Sequence, residues 1–128
     1  MTENCCATTG STIMLLPCSG GSNVGQLANR AAVELTMEGF GRIFCLAGIG
    51  GRLSGFVQSA KDADSLIAID GCEVGCCKAV LEDAGVSMAG RGHLVVTECG
   101  IEKNKNFNLN EEDVELVKQA VKNANSEP

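Results

Sequence analysis

The sequence predicts an α/β fold: a three-layer sandwich whose four-stranded parallel sheet, in the order 2-1-3-4, carries helices on both faces. Three observations lead there. Four short runs, "TIMLLPC", "RIFCLAG", "SLIAID" and "HLVVTE", are apolar throughout rather than alternating, as strands buried on both faces are. Segments of helical periodicity separate them, and alternation of strand and helix implies a parallel sheet with right-handed crossovers. The 128 residues suit one domain, with a core large enough to need no disulfide staples.

Taken in order, residues 1–11 ("MTENCCATTGS") carry no strand or helix signal and read as a flexible lead-in to a single cysteine-rich domain over residues 12–125. The first strand runs from Thr12 to Cys18, with Pro17 at its end, where a missing donor does little harm. An amphipathic helix from about Val24 to Glu38 stops at Gly39 and Gly41. The second strand spans Arg42 to Gly48, and a short helix follows from about Leu53 to Ala60. The third strand, Ser65 to Asp70, leads into a helix that carries Cys72, Cys76 and Cys77 and ends at Gly85. The fourth strand is His93 to Glu98. A last helix, about Asn110 to Asn123, has Asn110 as its cap and Asp113 three residues on. Its apolar positions, Val114, Leu116, Val117, Ala120 and Val121, have the spacing of ordinary packing on a sheet.

Composition narrows the function. The net charge is −6, with no Trp or Tyr, which excludes the basic patch and stacking platforms of nucleic-acid binding and disfavours an anionic membrane surface. No run approaches the roughly 20 apolar residues of a membrane helix. The polar, acidic N-terminus lacks the form of a secretory signal, so the expected compartment is the cytoplasm. In that reducing setting the eight cysteines (Cys5, Cys6, Cys18, Cys45, Cys72, Cys76, Cys77 and Cys99) point to metal, redox chemistry or small buried side chains rather than to bridges.

The cysteines converge. Ligands of open α/β sheets bind outside the carboxyl ends of the strands. Cys18 closes the first strand, Cys45 lies late in the second, Cys72 and Cys76 follow the third, and Cys99 follows the fourth. Order 2-1-3-4 sets Cys18 against Cys72 and Cys76 at the switch point with Cys45 beside them; order 3-2-1-4 would set it beside Cys99. Cys72 and Cys76, four apart on one helix, would share a face. Cys77 aligns with Val80, Leu81 and Ala84 and points to the core. Helix N-termini at this edge, and the glycines of "SGGSNVG" and "GIGG", offer N–H groups and partial positive charge that favour thiolates.

Other residues have bland readings beside sharp ones. Cys45, in mid-strand, is as readily a core residue as a ligand. Cys5 and Cys6 belong to the lead-in, although a mobile pair could reach the site. Asp70 reads as a helix cap or as an acceptor that orients the site. His93, the only histidine, starts a strand at the edge away from the thiols, so no general base is expected beside them. "GGSNVG" lacks the Gly-Lys-Ser/Thr of a P-loop, and Val24 stands where a tyrosine-phosphatase loop carries Arg.

Four motifs in order, "CSGGSNVGQLAN", "CLAGIGG", "IDGCEVGC" and "GIEKN", resemble the DGC-domain family, described as zinc-binding, across about Cys18 to Lys105. The resemblance implies zinc as cofactor and maps the family's cysteine pattern onto Cys18, Cys45, Cys72 and Cys76, leaving Cys5, Cys6, Cys77 and Cys99 outside it. The expected function is a cytosolic zinc-binding protein with a thiolate site. The alternatives are a thiol enzyme for sulfur transfer or thiol–disulfide exchange, and an iron–sulfur site. The expected partner is a metal ion, and the sequence names no protein partner.

Overall fold

The computed structural model describes residues 12–125. The expected lead-in, with Cys5 and Cys6, lies outside the described residues. Strands form where the chain is apolar on both faces. In β1 (Ile13–Pro17) Leu15 and Leu16 are fully buried, and in β3 (Ser65–Asp70) every residue after Ser65 is. These two strands pair in parallel at the centre of the sheet, and Cys18 N–H extends the ladder to Ile69 O at 2.9 Å. β2 (Arg42–Ile43) and β4 (Gly92–Val95) pair with them on either side, giving the expected all-parallel order β2-β1-β3-β4.

Side chains alternate across the strands, so two cores result. Leu15, Ile67 and Ile69 pack on α1 (Asn23–Met37) and α5 (Glu111–Asn125). Leu16, Leu66 and Ala68 pack on the other face against α2 (Leu46–Gly50), α3 (Ser54–Asp62) and α4 (Cys76–Asp83). The expected cap of the last helix is in place, and the first long helix has one beyond those expected from the sequence. Ser22 Oγ accepts from Gly25 N–H at 3.2 Å to start α1, and Asn110 Oδ1 accepts from Asp113 N–H at 2.8 Å at the head of α5. Gly39 (φ 88°) follows α1 and Gly85 (φ 82°) follows α4, in the left-handed region that favours glycine.

Three elements differ from expectation. The second strand ends at Ile43, not Gly48: as an edge strand with one partner it keeps only the Phe44 N–H to Leu15 O bond beyond its last paired residue, and Leu46–Gly50 then bonds within itself as α2. That turn buries Ile49 and lays Gly48 against the Phe56 ring, 2.7 Å from where a Cβ would stand. The fourth strand stops at Val95, and Val96–Cys99 forms a 3₁₀ turn whose Thr97 N–H bonds back to Gly71 O at 3.1 Å. The helix after β3 begins at Cys76, because Gly75 precedes it in the left-handed conformation (φ 70°). No helix among the described residues is long and apolar enough to cross a membrane.

Candidate functional site

The loops after β1, β3 and β4 meet at the carboxyl edge of the sheet. Their approach is closer than side chains allow. A Cβ on Gly25 would stand 2.5 Å from Gly20 O, and one on Gly71 would stand 2.7 Å from Gly25 N. Backbone thus packs on backbone, which draws Cys18 to the loop that carries Cys72. Gly71 N–H points at Cys18 Sγ at 3.4 Å.

Between these loops lies an open cleft of about 310 Å³, lined by Cys18, Cys72 and Cys76 together with Asp70, Lys103 and Lys105. Three of the four expected ligands therefore share one cleft. Cys18 and Cys72 are half-buried and Cys76 is exposed. Cys72 and Cys76 do not share a helix face as expected: Cys72 lies in the loop before Gly75, and Cys76 opens α4. Cys45, the fourth, is exposed at the head of α2 and faces a second, apolar cleft of about 360 Å³ beside Phe44, Leu46 and Val80, which Cys18 also lines. Cys18 is thus the thiol common to both clefts. Among the described residues no three His, Cys, Asp or Glu side chains stand close enough together to hold a metal ion. Cys77 is fully buried as expected, and its thiol donates to Leu16 O at 3.1 Å; Cys99, half-buried, ends the 3₁₀ turn and lines neither cleft.

Electrostatics divide the thiols. Burial raises the pKa of Cys18, and the N–H groups of Gly20 and Gly71 offset this only in part. Here desolvation outweighs the donors from which a lowered value is expected. Burial likewise pushes Cys77 far up, and Cys99 upward with help from Glu98. Asp70, 1% exposed, is the helix cap that the sequence suggests. Its carboxylate accepts from Cys77 N–H at 2.6 Å and Lys78 N–H at 3.2 Å, capping α4, while it also lines the thiol cleft.

Sequence reasoning missed three residues. His93 Nε2 lies 2.8 Å from Asp70 Oδ2, so the histidine assigned to the far edge reaches the carboxylate behind the thiols. The register Ala68–His93 puts it two residues back along the neighbouring strand, within side-chain reach of Asp70. Lys103 Nζ lies 3.4 Å from Cys72 Sγ, and Lys105 Nζ donates to Gly21 O at 2.6 Å. Their signal was available: the loop after the fourth strand falls at the same edge by the rule that placed the thiols.

The DGC domain matches residues 14–121. This chain belongs to the DGC domain family. Its match begins in β1 and ends in α5, so it takes in all four strands and both clefts. This DGC domain is also 33% identical over 102 residues to the anaerobic and virulence modulator AnvM of Pseudomonas aeruginosa, a match that covers 80% of this chain and 76% of that protein. No solved structure matches it.

Proposed function

We propose that this DGC domain is a cytosolic protein that binds one zinc ion through cysteine thiolates at the carboxyl edge of its sheet, in a sensory or structural role. The observation that carries the reading is the shared cleft of Cys18, Cys72 and Cys76. Thiolates are the donor set zinc takes in structural sites. The donor chemistry fits, and binding would have to draw the thiols together, since among the described residues no three of them stand close enough to share an ion. Cys18, Cys72 and Cys76 would hold the ion, and Cys45, across Cys18, would be the fourth ligand. Lys103 and the Gly71 N–H would offset the negative charge of several thiolates around one divalent ion. Were only three thiols to reach the ion, the open position would admit water or a substrate, as catalytic zinc sites do. The relative's name, anaerobic and virulence modulator, suits a regulatory use of such a site, since oxidation of its thiolates would discharge the ion.

The second reading, a thiol enzyme, draws support from the ammonium of Lys103 beside Cys72. One preparation separates them: protein purified without oxygen, its metal, colour and reactive thiols measured. One zinc with about four protected thiols is the expected result. A metal-free protein with one hyper-reactive thiol favours the enzyme, and a brown one favours an iron–sulfur cluster.

A further inference from the structure

We propose that the thiol cleft is also a binding site for a small organic anion, whose carboxylate rests on Lys103 and Lys105 and whose body lies along the glycine wall towards the sulfurs of Cys18, Cys72 and Cys76. The site shares its cleft with the zinc reading but does not need the ion.

The chain has a net charge of −6, so carboxylates should outnumber ammonium groups where a cleft is charged. The cleft beside α4 obeys, with Glu73, Glu82 and Glu98 in its wall. The thiol cleft does not. Its one carboxylate, Asp70, is buried and already bonded to Cys77 N–H, Lys78 N–H and His93. The other charges in its lining are the ammonium groups of Lys103 and Lys105.

Those two lysines are placed by a built device. Asn23, 7% exposed, donates from Nδ2 to Glu102 O at 2.8 Å and accepts from Asn104 N–H through Oδ1 at 2.6 Å, while its own backbone N–H donates to Asn104 O at 2.9 Å. The first residue of α1 therefore clamps the loop on both sides of Lys103. A buried asparagine with its amide satisfied in this way fixes a loop in one place.

The glycine loop helps to choose the anion. The N–H groups of Ser22, Asn23, Gly25 and Gln26 are bonded within the protein and that of Gly20 serves Cys18, which leaves the loop few donors for a phosphate. The two oxygens of a carboxylate can be matched by two ammonium groups, whereas the four oxygens of a phosphate call for the further N–H donors of a cradle. The cleft, open and about 310 Å³, has room for a small ligand.

The test uses two alkylating reagents that differ mainly in charge. The full chain, reduced and stripped with a chelator, is treated with iodoacetate or with neutral iodoacetamide, and each cysteine is followed by peptide mass spectrometry. The rate ratio of the two reagents at one cysteine cancels that thiol's own reactivity. The reference is Cys45, whose cleft has no charged side chain in its lining. The iodoacetate-to-iodoacetamide ratio at Cys72 should exceed that at Cys45 by about fivefold, the scale set by one ammonium at contact distance in water. It should fall to the Cys45 level in the Lys103→Gln, Lys105→Gln double variant. Propionate should slow iodoacetate at Cys72 more than phosphate does at matched ionic strength. Equal ratios at Cys72 and Cys45 would overturn the anion site, and stronger protection by phosphate would overturn the carboxylate assignment. Zinc measured separately on unstripped protein tests the metal reading alone, so either can fail without the other.

Discussion

Cys76 and Cys77 are neighbours in the chain and opposites in environment: one opens α4 at the cleft, the other is fully buried with its thiol on Leu16 O. The difference was legible, because Cys77 repeats at helical spacing with Val80, Leu81 and Ala84. It has two consequences. Loss of Cys18, Cys72 or Cys76 to serine should weaken zinc binding by more than about 100-fold, since even partners outside the ligand shell cost 10–100-fold, whereas Cys77→Ser should leave it nearly unchanged. Anaerobic zinc titration decides this, and zinc held as tightly by Cys72→Ser and Cys76→Ser as by the parent would remove the site. The second consequence is a pH dependence. Burial raises the Cys77 thiol above its ordinary value of 9.0, so the folded state keeps a proton that the unfolded chain gives up. Stability from this group is therefore complete below pH 9 and declines as pH rises beyond it. Urea melts of reduced, metal-free protein should show a steeper loss between about pH 8 and pH 10 than the Cys77→Ala variant does. A parallel decline in the two proteins would contradict it.

The elements around the site show where periodicity stops being informative. α1 and α5 were legible to within a residue or two, because long amphipathic patterns, with Gly39 to stop the one and Asn110 to cap the other, leave little choice. The second strand was overextended, because an apolar run of this length reads equally as strand or as buried helical turn. Cys72 was placed on a helix because the left-handed Gly75 that delays α4 looks, in sequence, like any glycine. His93 and the lysines went unseen because they reach the site through cross-strand register and a clamped loop, neither of which has a local pattern. Two predictions belong to this scale. Gly71→Ala drives a Cβ into the backbone of α1 at 2.7 Å, where no flexible side chain can yield, and should cost about 1–3 kcal/mol in chemical denaturation; a neutral effect would mean that the loops separate freely. Asn23→Ala removes two side-chain bonds to the 102–104 segment, a loss of about 1–3 kcal/mol. Hydrogen exchange should then rise at Asn104 before it rises in the sheet, and unchanged exchange there would mean that the clamp does not hold the loop.

At the scale of the whole molecule, the strand order was legible for a chemical reason as much as a physical one. Apolar runs and crossovers permit more than one order, and the choice of 2-1-3-4 rested on bringing Cys18 to Cys72. The sheet has that order, and β1 and β3 are its buried centre. The main packing of the domain lies outside the thiol cleft. Two clusters of buried side chains flank the sheet, and an ion-paired surface ties α1 to α5, where Lys118 meets Glu34 and Glu115 at 3.1 Å each and also Glu38, and Arg30 meets Glu111 at 2.6 Å. None of these groups lines the thiol cleft. A zinc finger lacks such a core and unfolds without its metal. This domain should instead keep its far-ultraviolet circular dichroism when stripped by a chelator under reducing conditions. Zinc should then act by mass action alone. At a free concentration near 100 times Kd it adds about 2.7 kcal/mol, which for a chain of this length is a rise in melting temperature of roughly 10 °C. The rise should grow with the logarithm of free zinc, vanish in Cys72→Ser, and persist in Lys118→Ala, whose own melting temperature is lower because the α1–α5 network has lost its centre. Collapse of the stripped protein to an unfolded spectrum would show that the ion is part of the core, and a melting temperature indifferent to zinc would show that no such site exists.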